Sequence, residues 1–568
     1  MDTTLKHQDE KTSSTPPQLE VEDHDVLEKS LNDSSSQQDA TNALEHTLTT
    51  ESLKYPPMSK IIPIILAVYI SMFLISLDRL IVGTAIPKIT DEFHSVNDIG
   101  WYGSAYMLTS SASQLVYGRI YTFYPAKWVF ILSILVFEIG SAVCGAAPSS
   151  IALILGRAVA GLGTGGISAG AMVIIVLICP LRQRPMFQGF AGAIFGISSV
   201  LGPILGGVFT TQISWRWCFY INLPFGGAAV IAIFFLLDVP PPRNGNWNLK
   251  QKVSQLDPVG NLFLVPSVVC LLLALEWGGS IYAWANWRII FLFILFGVLA
   301  GVFVFTQIRR GDRALVPPRI FTQRSVLAGV FWTTSLGAGM VVMLYYLPIW
   351  FQAVQNVDAE ESGIRNLPLV LSMVVGVIFS GVAVSKWGYY NPFMFVGVIL
   401  LSIGAGLLHT FNPDIGRSKW IGYQVMFGLG LGLGFQQANV AVQTCLATVD
   451  VPVGASLLMF AQQLSGAVFL SVAETLFQNF LVDNLKKVSG VDAAKVVAAG
   501  ATAFRNIVPQ SEMKEVVSAY SDAITRTFIL GIVMACVAIF PALAMEWRSV
   551  KNDPNKVKKQ ENQGESQA

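Results

Sequence analysis

Six ionisable side chains stand inside long apolar runs: Asp78, Arg79, Glu138, Arg157, Glu276 and Glu474. A charge in the middle of a membrane-crossing helix costs about 2.5–3.5 kcal/mol on insertion scales, so it is paired, faces a wet cavity, or both. Asp78 and Arg79 are adjacent, and neighbouring helical positions point about 100° apart, so the two cannot serve one partner. Asp78 reads either as a titrating group facing a cavity or as a fixed charge near the outer rim. A guanidinium stays protonated at any relevant pH. Arg157 can therefore tune a neighbouring acid, with Asp78 a suitable partner, or make a helix–helix hydrogen bond, but it cannot release a proton. A carboxyl withdrawn from water favours its neutral form, which lets it take up a proton on one side and release it on the other. Glu138 and Glu474 join Asp78 and Arg157 as proton-coupling candidates on that ground. Glu138 is alternatively a brace within its helix, and Glu276 ranks below Glu474 because it stands at the end of its run beside Trp277-Gly278-Gly279.

The same runs carry neutral polar and aromatic groups. Gln436, Asn439 and Gln443 are three and four apart and share a helix face. Gln462 and Gln463 follow in the next run, with Tyr102, Tyr106, Tyr345 and Tyr346 elsewhere, and Trp350, Phe351 and Gln352 end a run. An apolar cavity with aromatic walls and a few amides suits an amphipathic, largely uncharged organic molecule. The alternatives are an interfacial aromatic belt and amide contacts between helices. The sequence has no GxxxxGK[ST], HExxH or GxSxG pattern, so an enzyme, a nucleotide-driven pump and a metal or other cofactor are not expected. The six cysteines are scattered and read as small core residues, and a net charge of +1 does not suggest a nucleic-acid partner.

The elements that hold these residues are membrane helices. The 568 residues are 53% hydrophobic and only 13% charged, about half the usual charged share of a soluble domain. Apolar runs near twenty residues give fourteen spans: 60–85, 100–121, 128–147, 151–178, 187–211, 217–237, 258–278, 288–307, 326–352, 364–385, 392–411, 420–445, 454–481 and 524–545. Residues 488–503 and 511–523 read as surface helices, too polar to span. The first fifty-five residues are polar and nearly free of aromatics, which places a disordered tail at 1–58. Arg119, Lys127, Arg182, Arg184, Arg243, Arg309, Arg310, Arg313, Arg319, Arg324 and Lys386 gather on one side with the C-terminal tail. That side is cytosolic by the positive-inside rule, and an even span count puts both termini there.

Residues 187–212 are uncharged and carry Gly189, Gly192, Gly196, Gly202, Gly206 and Gly207 around Pro203. Small residues let neighbouring helices approach closely in lipid, and partners satisfy the amide bond that proline breaks. The stretch reads as a conformational element or as a tightly packed structural helix. Glycines also mark an internal repeat: Gly118 with Gly381, Gly161 with Gly428 and Gly189 with Gly454 (381 − 118 = 263, 428 − 161 = 267, 454 − 189 = 265). The steady offset predicts two similar six-helix bundles, 59–238 and 326–546, separated by linkers and two additional helices at 239–325, with a terminal tail at 547–568. Parallel halves of this kind are a transporter architecture with the site between them.

Four motifs carry a family resemblance: residues 77–89 (LDRLIVGTAIPKI), Gly118 to Lys127, Arg157 to Gly163, and Gly196 to Gly207 with Gly202-Pro203, followed by Trp215-Arg216-Trp217 and Asn222-Leu223-Pro224. Together, over about 60–545, they resemble the fourteen-span drug:proton antiporter branch of the major facilitator superfamily, and within it fungal toxin efflux pumps of the aflatoxin type. The resemblance implies the major facilitator fold, an all-α polytopic protein arranged 6 + 2 + 6. It further implies a proton-transfer contribution from Arg157, a conformational role for Gly196, Gly202, Pro203, Gly206 and Gly207, and a cytosolic gate at Gly118, Arg119 and Lys127. The loop after the second span departs from the pattern: Thr122, Phe123, Pro125 and Ala126 stand where the family has acidic, glycine and basic residues, and Leu80 replaces a threonine. The expected function is proton-coupled efflux of small hydrophobic organics, a secondary metabolite, mycotoxin or drug, by a monomer at the plasma membrane, with the vacuolar membrane as the alternative. An importer of the same fold and a non-transporting sensor or scaffold are the competing readings.

Overall fold

The computed structural model describes residues 56–95, 98–239, 255–279 and 281–551. The expected N-terminal tail to residue 55, segment 240–254 and the C-terminal tail from 552 lie outside the described residues. The regular structure of the described residues is helical, apart from isolated bridges between Gly278 and Tyr282 and between Tyr389 and Ser549. Fourteen long helices follow in order: α1 Met58–Phe93, α2 Ile99–Phe123, α3 Ala126–Gly145, α4 Ser150–Ile178, α5 Arg184–Val208, α6 Asn222–Leu236, α7 Pro258–Trp277, α8 Trp287–Arg310, α9 Arg324–Gln355, α10 Ala359–Trp387, α11 Asn391–His409, α12 Arg417–Phe435, α13 Val451–Leu485 and α14 Met513–Val537. Thirteen are long and apolar enough to cross a membrane. The exception, α2, is diluted by Thr109, Ser110, Ser111, Ser113 and Gln114, and the last four of these are buried against neighbouring helices rather than facing lipid.

Glycine decides which helices touch. A side chain at Gly163 of α4 would meet backbone atoms of Phe137 and Ser133 on α3, and one at Gly161 would meet the Tyr106 carbonyl of α2. The second half repeats this. Gly430 of α12 lies against Leu401 and Gly397 of α11, and Gly428 against the Leu369 carbonyl of α10. So Gly161 and Gly428, matched by the sequence offset, occupy equivalent crossings. Association in lipid depends on such close backbone approach because no hydrophobic gain distinguishes a neighbouring helix from a lipid tail.

Four spans differ from the sequence expectation. The first span runs to Phe93 through Pro87, where the Thr90 hydroxyl bonds the carbonyls of Ile86 and Pro87. The sixth and twelfth are broken, at Ile221 and at Gln436. The last begins at Met513, so 511–523 is its first part and not a surface helix. Tyr520 and Ser521 of this part point inward: Ser521 accepts a hydrogen bond from the Trp350 indole, and Tyr520 stacks on Phe504 with ring centroids 4.5 Å apart. Helix Ala493–Ala503 matches the other expected short helix.

Gly163→Ala should destabilise the protein by about 1–3 kcal/mol through overpacking. Gly207→Ala, whose added carbon meets nothing within 4 Å, should leave the detergent-solubilised thermal midpoint unchanged. Equal midpoints for the two variants would contradict this packing.

Candidate functional site

The two bundles meet through α2 with α13 and α5 with α10. Gly118 lies against Ser456 and the Pro452 carbonyl, Gln114 reaches Met459, Gly189 lies against the Val377 carbonyl and Gly381, and Gly196 against Val374. Met186 N donates to Ser385 Oγ, and Arg182 Nε to the Ser385 carbonyl. These contacts run from the basic face to mid-helix. Toward the opposite face Gly83, Gly103 and Gly207 meet nothing within 4 Å. The direct contacts between the bundles thus gather on the basic half, while on the other α7 lies against both, with Gly100 of α2 against Glu276 and Ser471 of α13 donating to the Leu275 carbonyl.

Inside the first bundle is a buried polar chain. Asp78 of α1 pairs with Arg157 of α4, Oδ2 to Nη1 2.5 Å, and both side chains are essentially inaccessible. Arg157 Nε also donates to the Tyr102 carbonyl at 2.9 Å, and its guanidinium lies over the Tyr106 ring, 4.3 Å from the centroid. Asn222, the first residue after the break in the sixth span, donates to Asp78 Oδ1 and to Ser141 Oγ of α3, each at 3.1 Å. The break therefore joins α1, α3, α4 and α6 at one point. One turn along α3 from Ser141 stands Glu138, also buried, with neither carboxyl oxygen hydrogen-bonded. Gly226, one turn along α6 from Asn222, leaves its room: a side chain there would collide with Oε1.

On the basic face the connection after α8 forms a second polar centre. Asp257, fully buried at the N-terminus of α7, accepts from Gly260 N, Gln307 Nε2, Arg310 Nη1 and Leu315 N at 2.7–3.0 Å. Its φ of 49° suits aspartate, which enters the left-handed region more readily than most residues. This knot holds the connection so that the Asp312 carbonyl accepts from Arg119 of α2 at 2.8 Å. Arg319 then bridges the Asp312 carboxylate and Asp450, which it grips with both terminal nitrogens at 2.6 and 2.8 Å. The hydrogen bond with Asp450, with Asp312 adding to it, holds the Arg319 guanidinium above its ordinary pKa. First bundle, connection and second bundle are thereby tied in one line. The loop after α2 lacks an acidic residue, and Arg119 is met instead by a backbone carbonyl of the connection.

The sequence profile of the Major Facilitator Superfamily matches residues 68–282 and 277–470. The chain belongs to that superfamily. Among relatives of this superfamily member, the MFS-type efflux pump MFS1 of Arthroderma benhamiae is 48% identical over 88% of this chain and 94% of its own. The efflux pump aflT of Aspergillus parasiticus is 46% identical, over 87% and 97%. The rubrofusarin-specific efflux pump aurT of Gibberella zeae is 47% identical, over 88% and 91%. The fold matches solved structures at low identity. The proton:xylose symporter XylE shares 13% with a TM-score of 0.55, covering 86% of this chain and 95% of its own. A bacterial homologue of the human lysosomal transporter Spinster shares 14% at 0.51, covering 86% and 98%.

The superfamily member places the expected site residues unevenly. Asp78 does not face a cavity; Arg157 and Asn222 enclose it, and the exposed neighbour is Arg79. Tyr102 and Tyr106 are not cavity walls either. The Tyr102 hydroxyl bonds Ser95 and Ser150, and that of Tyr106 bonds the Ile75 carbonyl and Thr164, all within the first bundle. Tyr346 is buried against Phe477, while Tyr345 is 50% exposed. Gln436, Asn439 and Gln443 are buried, with Asn439 bonded to Gln436 at the break after α12 and Gln436 facing Gly192 of α5. Gln462 and Gln463 are half-buried on α13. Glu474 is exposed, with Gln478 as hydrogen-bond partner at 3.4 Å. Gly202 packs on Leu80, Gly206 on Thr84 and Ile81, and six residues after Pro203 the helix loosens into a π-turn at Phe209–Ile213. Lys127 lies over the Phe234 ring of α6, within the first bundle.

Asp78→Asn leaves Arg157 buried and uncompensated, and should cost about 3–5 kcal/mol; Asp78→Leu with Arg157→Met should recover much of that in thermal unfolding. An unchanged midpoint in Asp78→Asn would show that the pair contributes little. Arg319→Gln should loosen the basic face, so that a cysteine placed at Ser456 reacts several-fold faster with a membrane-impermeant maleimide applied from that side.

Proposed function

We propose that this chain is a proton-coupled exporter of small, largely hydrophobic organic compounds, a fungal secondary metabolite, mycotoxin or drug. It works as a monomer without metal or other cofactor, in the plasma membrane, with both termini and the basic face cytosolic. The bundles at 59–238 and 326–546 are its moving halves, and 239–325 couples them. The observation that carries the reading is the junction itself: bundles latched on the basic face through Arg119, Asp312, Arg319 and Asp450, with open space beside Gly83, Gly103 and Gly207 toward the other. That is the geometry of a chamber about to release its contents outward. Relatives named as efflux pumps, at 46–48% identity over nearly the whole chain, support the direction.

In this cycle Glu138 takes the proton, being the buried acid of the first bundle without a partner, and Asp78 remains the fixed counter-charge of Arg157. Proton arrival changes the charge beside the Asp78, Asn222 and Ser141 chain and so alters how α1, α3, α4 and α6 pack. Glu474 is the second proton candidate, and Tyr345, Gln462 and Gln463 line the substrate path. Gly202, Gly206 and Pro203 let α5 bend against α1 as the basic-face latch opens.

Purified protein in liposomes should accumulate a fluorescent aromatic polyketide when the compartment receiving it is acidic, and a protonophore should abolish this. Transport unchanged by collapse of the gradient would overturn the proposal. Glu138→Gln should lower gradient-driven transport by about tenfold or more while leaving substrate binding intact, the pattern of a lost coupling group rather than a lost contact.

A further inference from the structure

Arg79, the neighbour of Asp78 in the first-span motif, is not absorbed by the polar chain. It is exposed, its nearest polar contact is Met107 Sδ of α2 at 3.9 Å, and no carboxylate pairs with it among the described residues. The packing of α1 fixes what it faces. Asp78 points to α4 and α6, and Leu80, Ile81 and Thr84 pack on Gly202 and Gly206 of α5. Arg79, and Gly83 one turn further on, fall in the remaining sector, between α2 and α5. Those two helices are the ones that reach across to α13 and α10, so the sector between them opens on the space between the bundles. Gly83 and Gly103 have nothing within 4 Å there.

An arginine in such a place keeps its charge, and a cation without a partner at membrane depth is costly unless something satisfies it. A planar guanidinium offers paired donors that match a carboxylate or an ionised phenol. We infer that Arg79 is the specificity-determining residue of the inter-bundle chamber and selects amphipathic aromatic compounds carrying one acidic group. Asp78, held by Arg157 and Asn222, does not compete for it. This inference rests on the reading of the chamber as a substrate path and narrows the substrate class within it.

The test uses the full-length protein in liposomes and three probes of one shape: pyrenebutyric acid, its methyl ester and pyrenebutylamine, with protein-free liposomes as blank. The native protein should bind the acid about tenfold more tightly than the ester. Arg79→Gln should erase that preference by weakening the acid and sparing the ester, Arg79→Lys should keep most of it, and Arg79→Glu should favour the amine. Gly83→Asp leaves Arg79 in place and sets a carboxylate one turn away in open space, where it should pair with Arg79 and weaken acid binding alone. It serves as the test if Arg79→Gln does not fold. Equal loss for acid and ester, an intact preference in Arg79→Gln, or no preference in the native protein would overturn the assignment. Selective binding of the acid without gradient-driven movement would instead sink the export reading and leave Arg79 standing. Gradient-driven movement of ester or amine in preference to the acid would do the reverse.

Discussion

Most of the first bundle is organised around one ion pair removed from water. Asp78 and Arg157 attract each other strongly because no solvent screens them, and for the same reason neither tolerates losing the other. The pair recruits what a lone pair of charges would still lack. Arg157 spends a donor on the Tyr102 carbonyl and its face on Tyr106, and Asp78 spends its second oxygen on Asn222. Asn222 is available only because the sixth span breaks before it. A local irregularity in one helix is thereby set by the need of a charge on another, and four helices acquire a common reference point.

Around that point packing is governed by the absence of side chains. Gly161 and Gly163 bring α2 and α3 against α4, and Gly428 and Gly430 do the same for α10 and α11 against α12. Between bundles the same device works at Gly118, Gly189 and Gly196, but only toward the basic face. The result is two rigid units with a shared, smooth contact on one side, a combination that permits rocking without unpacking either unit.

This logic was legible in part. Fourteen helices, their approximate limits and the repeat follow from apolar length and glycine offset, since the bilayer fixes the first and close helix approach the second. The suitability of Asp78 for Arg157 was readable from charge alone. Which face each side chain takes was not. Tyr102 and Tyr106 look like cavity aromatics until their hydroxyls are seen satisfied inside the bundle, and Arg79 rather than Asp78 is the exposed member of its pair. The basic-face latch was also hidden, because Asp257, the connection carrying Asp312 and Arg319, and Asp450 lie far apart in the sequence. The signal that was present, a missing acidic residue after α2, says that a partner is needed without saying where it is.

The knot at Asp257 has a consequence for the additional helices α7 and α8. Because their ends on that side are fastened to the strand of chain that Arg119 and Arg319 grip, the pair is a strut rather than a passenger. Any movement that unlatches one bundle from the other must pull on it, and shortening the protein to a twelve-helix form would remove the tether that sets how far the halves can swing.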